Sequence, residues 1–589
     1  MRIAFAVVSL VSSLEGEDAD RRISALRALR HEIIDTAPGA MPKNTARVLL
    51  EIMKELVRSH GNVRRQLELA HDFRITATGK PHIVRRQLKY YHLLEMPEEW
   101  NQIAFDDHVH DANTKGRKSS THLIMDAWIK GIRRLRVIHY NYIAPSFASE
   151  LLAAAEIMGI DIRIGIEFPA RFRDKYVQLI WVPRNFSSAH EFMCFLDEEP
   201  VKKIMEKGRQ VSDFQQAHIM ELFAEFNRIH LKKIGETCGI ALPPLDEKAF
   251  LKFVGIGQKS KLHLSKFVHQ HILASIKGYQ KQKAEQSNEV TPDNEAAAPG
   301  EMFNRIDIEQ LIEHYLKSEQ NPDLIDSEKV VDLDKVPEFL RLSPPDLLNQ
   351  LISLRSGYRI TLNLTNLDVA DVLEIIYDCK GAITRLEIFN LKDYAAGLTE
   401  HLASISELQA TINKKNVIIL KRVIRTIIDT LPDSGHPDYE ERAQKLNTIL
   451  YDIERFVSIY KNRLLKARIG SDSTGRSPKV HGMGLALIET LPVRAQRQIG
   501  RRTGPTREII PVNMAAFRQL TFIPKRNNRF WVNLFSYMFQ NLDILKGFGH
   551  KRVLSWKVQD TSIRMQTPGN IVTLGGIQQG ETNQLEASL

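Results

Sequence analysis

Between residues 103 and 182 the apolar pattern changes period, and that change sets the fold class. Leu135-Arg136-Val137-Ile138 is a short β-rich run, Phe147 to Met158 is a helix candidate, and Gly159-Ile160-Asp161-Ile162-Arg163-Ile164-Gly165-Ile166-Glu167 reads as a turn and a strand. Strand, helix and strand in succession predict parallel strands joined by crossover helices. The alternation resumes with Ile360 to Leu364, a helix over Val369 to Tyr377 and a strand over Ile383 to Phe389. Upstream, residues 20–95 are helical in period: Ile23, Leu26, Leu29 and Ile33-Ile34, then Val48-Leu49-Leu50, Ile52-Met53 and Leu56-Val57. This part reads as a helical cap or adaptor without a catalytic signature.

Composition narrows the class. With 589 residues, 43% of them hydrophobic and 26% charged, the chain has room for several domains of a soluble globular protein. Cys194, Cys238 and Cys379 lie too far apart for a disulfide framework or a cysteine-rich zinc site, which favours a reducing, cytoplasmic setting. The apolar run Ile3 to Leu10 is followed by charged GEDADRR and no small-residue cleavage box, so it is not read as a signal peptide. No apolar run is long enough for a membrane span. The net charge of +10 favours anionic partners, such as phosphate esters or nucleic acid, or simply marks a solvated basic surface.

The chemistry-bearing residues fall at the ends of the predicted strands. In Asp106-Asp107-His108-Val109-His110 the i, i+2 spacing puts both imidazoles on one side of an extended strand, where they can hold a divalent metal. His139-Tyr140-Asn141, Glu167 and Asp472 end other strands. In a β/α barrel such ends share one face, so two imidazoles and two carboxylates can meet around zinc, manganese or iron. Such an ion lowers the pKa of bound water and polarises a phosphoryl oxygen. Each residue also has a plainer role: Glu167 as a salt-bridge partner, Asp472 in an Asx turn, His139 as a capped polar residue.

These segments resemble the PHP (polymerase and histidinol phosphatase) superfamily of metal-dependent phosphoesterases. The resemblance rests on DDHVHDANTKG (106–116), RLRVIHYN (134–141), GIDIRIGIEF (159–168), RITLNLT (359–365), ITRLEIFN (383–390) and RIGSDSTG (468–475). It implies an irregular (β/α)7 barrel with one principal divalent ion on His108, His110, Glu167 and Asp472. Where the family carries further ligands this chain has Lys115, Tyr140, Asn363 and Thr474. The resemblance thus implies either a one-metal hydrolase or a decayed, non-catalytic scaffold. In the first case Lys115 steadies a phosphate, His139 or His481 handles a proton, and Arg117, Lys118 and Arg476 clamp the anion.

The expected architecture is α/β, a PHP-like irregular (β/α)7 barrel with a helical N-terminal region and helical insertions. Its divisions are a helical region 1–100, barrel 101–198, a helical segment 199–279, a flexible linker 280–302, barrel 303–397, a helical insertion 398–466, the last barrel motif 467–490 and a basic region 491–589. The basic region mixes Arg494, Arg497, Arg501, Arg502, Arg507, Arg518, Lys525, Arg526 and Arg529 with Phe517, Phe522, Phe530 and Trp531, a combination suited to nucleic acid or to a subunit interface. The function expected is hydrolysis of a phosphate ester of a small molecule, nucleotide or nucleic acid. The alternative is a scaffold that binds protein or nucleic acid, with the helical regions as the protein-binding surface.

Overall fold

The computed structural model describes residues 9–575 apart from 15, 17, 239, 287–307, 325–335, 435–436, 477–480, 502–506, 525–549, 559–562 and 567. Seven strands lie side by side in chain order: β1 (Ala104–Val109), β2 (Arg134–Tyr140), β3 (Asp161–Phe172), β4 (Lys175–Pro183), β5 (Tyr358–Leu362), β6 (Arg385–Asn390) and β7 (Lys466–Gly470). β4 is antiparallel to both neighbours and the other adjacent pairs are parallel. The sheet curls until the chain beyond β7 meets β1: His110 N donates to Ser473 O at 3.1 Å and Asp472 N to His108 O at 2.9 Å. Three short strands, Leu485–Leu487, Ile571–Thr573 and Ile509–Ile510, extend the sheet from the other side of β1.

Local sequence explains the crossovers. The helix Ser120–Lys130 begins where the Ser119 side chain accepts from His122 N and ends at Gly131, whose φ of 85° suits a residue without a Cβ. The helix Pro145–Met158 starts on a proline, which needs no N–H partner there, and ends at Gly159 with φ 66°. Four helices, Leu402–Lys414, Val417–Thr430, Tyr439–Tyr451 and Ile453–Ile459, fill the long connection from β6 to β7.

The N-terminal helices share one apolar core with the sheet, from Val11 to Leu574. Buried polar groups tie them in. Arg22 donates to both carboxylate oxygens of Glu150 at 2.9 and 2.7 Å, and fully buried Arg47 donates to the carbonyls of Ile129 and Leu94 at 2.6 and 2.9 Å. This region is therefore an outer layer of the sheet domain.

A second core, with Leu222, Phe223, Phe226, Phe250, Leu264 and Val268, belongs to residues 219–324. The helix Glu199–Glu225 joins the two, burying Val201, Ile204 and Val211 in the first and Ile219, Leu222 and Phe223 in the second. The helix Lys261–Gln286 runs into the first part of the expected linker, so 280–286 are helical; 287–302 fall outside the described residues. Among the described residues no helix is long and apolar enough to cross a membrane.

Candidate metal centre

At the C-terminal ends of the parallel strands, β1 and β7 approach closely because Gly470 has no side chain. A Cβ there would stand 2.4 Å from the Cβ of His108. Buried Asp106 clamps the two segments, its carboxylate accepting from Ser471 N at 2.9 Å and Gly484 N at 2.8 Å. Asp472 follows with φ 48°, a left-handed conformation uncommon for a residue with a Cβ. The register shift in β1 between Asp106 and Val109 accompanies this turn.

The result is one group of buried ligand atoms from His108, His110 and Asp472, all within 4.8 Å of one another. His108 Nδ1 lies 2.9 and 3.1 Å from the two oxygens of Glu387, which leaves Nε2 turned to the group, 3.8 Å from Asp472 Oδ1. His110 Nδ1 lies 2.9 Å from the Ile138 carbonyl, so it carries the proton and Nε2 presents a lone pair, 3.0 Å from Asp472 Oδ1. Burial and the Lys115 ammonium hold His110 down to about 3, neutral at ordinary pH. Burial lowers His108 as well, but Glu387 outweighs it and raises the ring to about 9. Burial by itself raises a carboxyl, yet Lys115 and Lys392 hold Asp472 well below the usual range.

This donor set fits a divalent cation. Two imidazole nitrogens and a carboxylate oxygen are ordinary ligands for zinc, and the 3.0 and 3.8 Å separations bracket the roughly 3.4 Å between tetrahedral neighbours on bonds of about 2.0–2.2 Å. Among the described residues His108 Nε2 is buried without a hydrogen-bond partner, a costly position that a cation would relieve by taking the place of the ring's second proton. Glu387 on His108 and the Ile138 carbonyl on His110 fix the rings as outer partners of metal ligands do. His108, His110 and Asp472 would therefore hold the ion.

Other expected members of the site fall in different places. Glu167 stands outside the group because Asn363 Nδ2 holds its Oε1 at 3.0 Å, although its charge reaches His108 and Tyr140. Lys115 is at the site, its Nζ 3.5 Å from Asp472 Oδ1 and 4.9 Å from the Tyr140 ring centre. His139 is not. Strand side chains alternate, so Tyr140 takes the inward position, its hydroxyl 3.1 Å from His110 Nε2, while His139 is buried on the opposite face of β2. His481 lies outside the group, on a loop whose Met483 carbonyl accepts from Lys130 Nζ at 3.1 Å.

Two of the expected phosphate clamps, Lys118 and Arg476, are otherwise engaged. Lys118 is paired with Asp126, beside Lys54, and burial with the neighbouring Lys54 pushes its ammonium well below the usual range. Arg476 donates to the carbonyls of Lys115 and Gly116 at 2.9 and 3.1 Å, holding the loop that carries Lys115. Arg117 is exposed, and its main-chain N–H donates to Thr474 O at 2.8 Å. In the basic C-terminal stretch, Arg507 is structural, donating to the carbonyls of His92, Thr573 and Leu574. Arg518 lies 5.4 Å from the Trp556 ring on an antiparallel ribbon formed by Ala516–Pro524 and His550–Val558. Arg502, Lys525, Arg526, Arg529, Phe530 and Trp531 fall outside the described residues, and nothing is described of the Phe522 side chain.

Two site residues were not singled out from the sequence. Glu387 lies in the quoted strand ITRLEIFN, two places after Arg385 on the same face, so alternation alone marks it as inward. Lys392, whose Nζ is 3.2 Å from Asp472 Oδ2, is in the first turn of the short helix Leu391–Ala395 after β6 and carries no such signal.

No family model matches the chain, and no curated protein matches it at a significant level. Among solved structures, a protein from Bifidobacterium adolescentis named as a metal-dependent phosphoesterase aligns over 70% of this chain and 99% of its own, with 12% identity and a TM-score of 0.32. An amidohydrolase from Chromobacterium violaceum aligns over 53% of this chain and 83% of its own, with 13% identity and a TM-score of 0.33. Superpositions this loose carry neither the fold nor the reaction across to this chain.

Proposed function

We propose that the chain is a metal-dependent hydrolase of the PHP-like phosphoesterase kind, acting on a phosphate ester. The observation that carries this reading is the convergence of His108 Nε2, His110 Nε2 and an Asp472 oxygen, with each ring fixed from behind. A divalent ion at these atoms supplies a water of lowered pKa and a Lewis acid for the phosphoryl oxygen. The protein's own contributions follow from position. Lys115 and Lys392 flank Asp472 as cations and can meet the charge of a phosphoryl group. The Tyr140 hydroxyl, kept protonated because burial raises it well above the ordinary tyrosine value, is a donor at the same mouth. Gln258 ties the loop that carries Lys115 to the end of β2: its N–H donates to Thr114 O at 3.0 Å and its side chain to Tyr140 O at 3.1 Å. The exposed arginines of the C-terminal region favour a nucleotide or nucleic-acid ester over a neutral substrate.

A second reading, a non-catalytic scaffold, draws on one observation. Tyr140 already meets His110 Nε2, and Lys115 and Lys392 already pair with Asp472, so the group has protein partners of its own. Metal content decides between them. Protein purified without chelator is expected to hold about one equivalent of zinc, manganese or iron, lost in a His108→Ala, His110→Ala double variant. Metal-dependent release of phosphate from an ester should vanish in Asp472→Asn. Wild-type protein that stays empty after incubation with each ion refutes the hydrolase.

A further inference from the structure

The inward face of the curled sheet changes character from one end to the other. The imidazoles and carboxylates stand at the C-terminal ends of the strands. Next comes a small apolar layer of its own, Ile138, Ile180 and Val182, packed over Gly165, where a Cβ would meet Ile138 at 2.7 Å. Beyond it, at the N-terminal ends, the inward positions are arginines: Arg134 and Arg136 on β2, Arg359 on β5, Arg385 on β6 and Arg468 on β7.

One carboxylate answers them. Asp107 lies 3.7 Å from Arg134 Nε and 3.6 Å from both Arg136 Nη2 and Arg468 Nε, too far for good hydrogen bonds. The Nε atoms of Arg134, Arg136, Arg385 and Arg468 are buried and have no hydrogen-bond partner among the described residues. The Arg136 side chain is 5% exposed and that of Arg468 18%, while Arg134 at 41% opens the cluster to solvent. Burial and mutual repulsion push Arg385 down to about 7, with Arg468, Arg359 and Arg136 the neighbours responsible. Arg468 falls to about 9 and Arg359 to about 10 for the same reasons, with Asp107 opposing. Guanidinium groups stay charged in proteins, and buried charges persist when they are paired. Five guanidiniums around one carboxylate are a structure short of anions.

We propose that this end of the sheet is a binding site for a compact anion carrying several phosphate groups, gripped by Arg134, Arg136, Arg359, Arg385 and Arg468. Arginine forks match phosphate oxygens two at a time, and strands from three parts of the chain converge on the one anion. The apolar layer of Ile138, Ile180 and Val182 separates this site from Asp472, so it stands whether or not the metal centre hydrolyses anything.

The test titrates sodium tripolyphosphate into the full chain, stripped of metal by chelator and dialysed free of it, by calorimetry and thermal melting, with sodium chloride at matched ionic strength as the control. About one tripolyphosphate per chain is expected, with a rise in Tm of several degrees at saturation. Arg136→Gln and Arg385→Gln should each weaken binding at least about tenfold. They should melt no lower than wild type in anion-free buffer, since each removes repulsion. Arg64→Gln, at an exposed position on the N-terminal helices, should bind as wild type does. Should the glutamine variants fail to fold, Arg385→Lys keeps the charge, loses the fork and must still bind more weakly. Wild-type protein without saturable binding beyond the chloride control overturns the proposal. So does binding that survives Arg385→Gln and disappears in Lys115→Met.

Discussion

Replacing Glu387 tests the metal centre from behind, without touching a ligand. Its two oxygens lie 2.9 and 3.1 Å from His108 Nδ1, and both side chains are almost fully buried, 1% exposed for the histidine and 3% for the glutamate. In Glu387→Gln an amide oxygen can still accept from Nδ1 while the negative charge is gone; in Glu387→Ala the nitrogen is left buried without a partner. Loss of such an outer partner typically weakens metal binding about 10- to 100-fold. The amide belongs at the low end and alanine at the high end, or about 1.4 and 2.7 kcal/mol. Calorimetric titration of zinc and manganese into chelator-stripped protein reads the difference, and a melting curve confirms that each variant is folded. Folded Glu387→Ala with the wild-type dissociation constant would refute the argument that Glu387 orients a metal ligand.

Other expectations concern the frame around the site. Arg22→Met should cost about 3–5 kcal/mol in chemical denaturation, because it strands the buried Glu150 carboxylate. Burial raises Glu150, but hydrogen bonds from Arg22 and Thr121 outweigh it and lower its folded value; its contribution is present above the ordinary glutamate pKa and lost as pH falls through the folded one. The stability gap between wild type and Glu150→Gln should therefore narrow as pH drops below about 4.3; a gap constant from pH 7 to pH 3 contradicts this. Gly208→Ala places a Cβ 1.9 Å from the Asn141 carbonyl oxygen and should cost about 1–3 kcal/mol in melting experiments. Phe250→Ala should open the second core alone, losing about 3–5 kcal/mol there. Limited proteolysis should then cut within 219–324 and leave the sheet domain intact; simultaneous loss of both would show a single cooperative unit.

The strands were legible because β-rich runs bounded by turns survive any change of partner, and the pairing of His108, His110 and Asp472 followed from their places at strand ends. The failures came from one-residue and cross-element effects. A shift of one position turns a strand side chain to the other face, which is why Tyr140 and not His139 meets His110. No local pattern joins Lys118 to its partner, Asp126 on the following helix, so the sequence shows an unattached basic residue where the structure has a buried pair. Helical periodicity showed that residues 20–95 bury one face. It could not show that the surface they cover belongs to the sheet domain, since that depends on pairs such as Arg22 and Glu150, far apart in sequence. The inward arginines were visible at the starts of RLRVIHY, RITLNL and RLEIFN, but their meaning appears only when the sheet curls and brings them together.

The helix Glu199–Glu225 has a mechanical consequence. At 27 residues it is about 40 Å long, rooted at one end in the sheet domain and at the other in the second core. Gly208 sets it against the Asn141 backbone, one residue from Tyr140, so the contact acts as a fulcrum near the shorter arm. The far unit returns to the same place, because Gln258 donates to Thr114 O at 3.0 Å and to Tyr140 O at 3.1 Å. Residues 219–324 therefore share two anchor points with the strand end beside the centre, one through the long helix and one through Gln258.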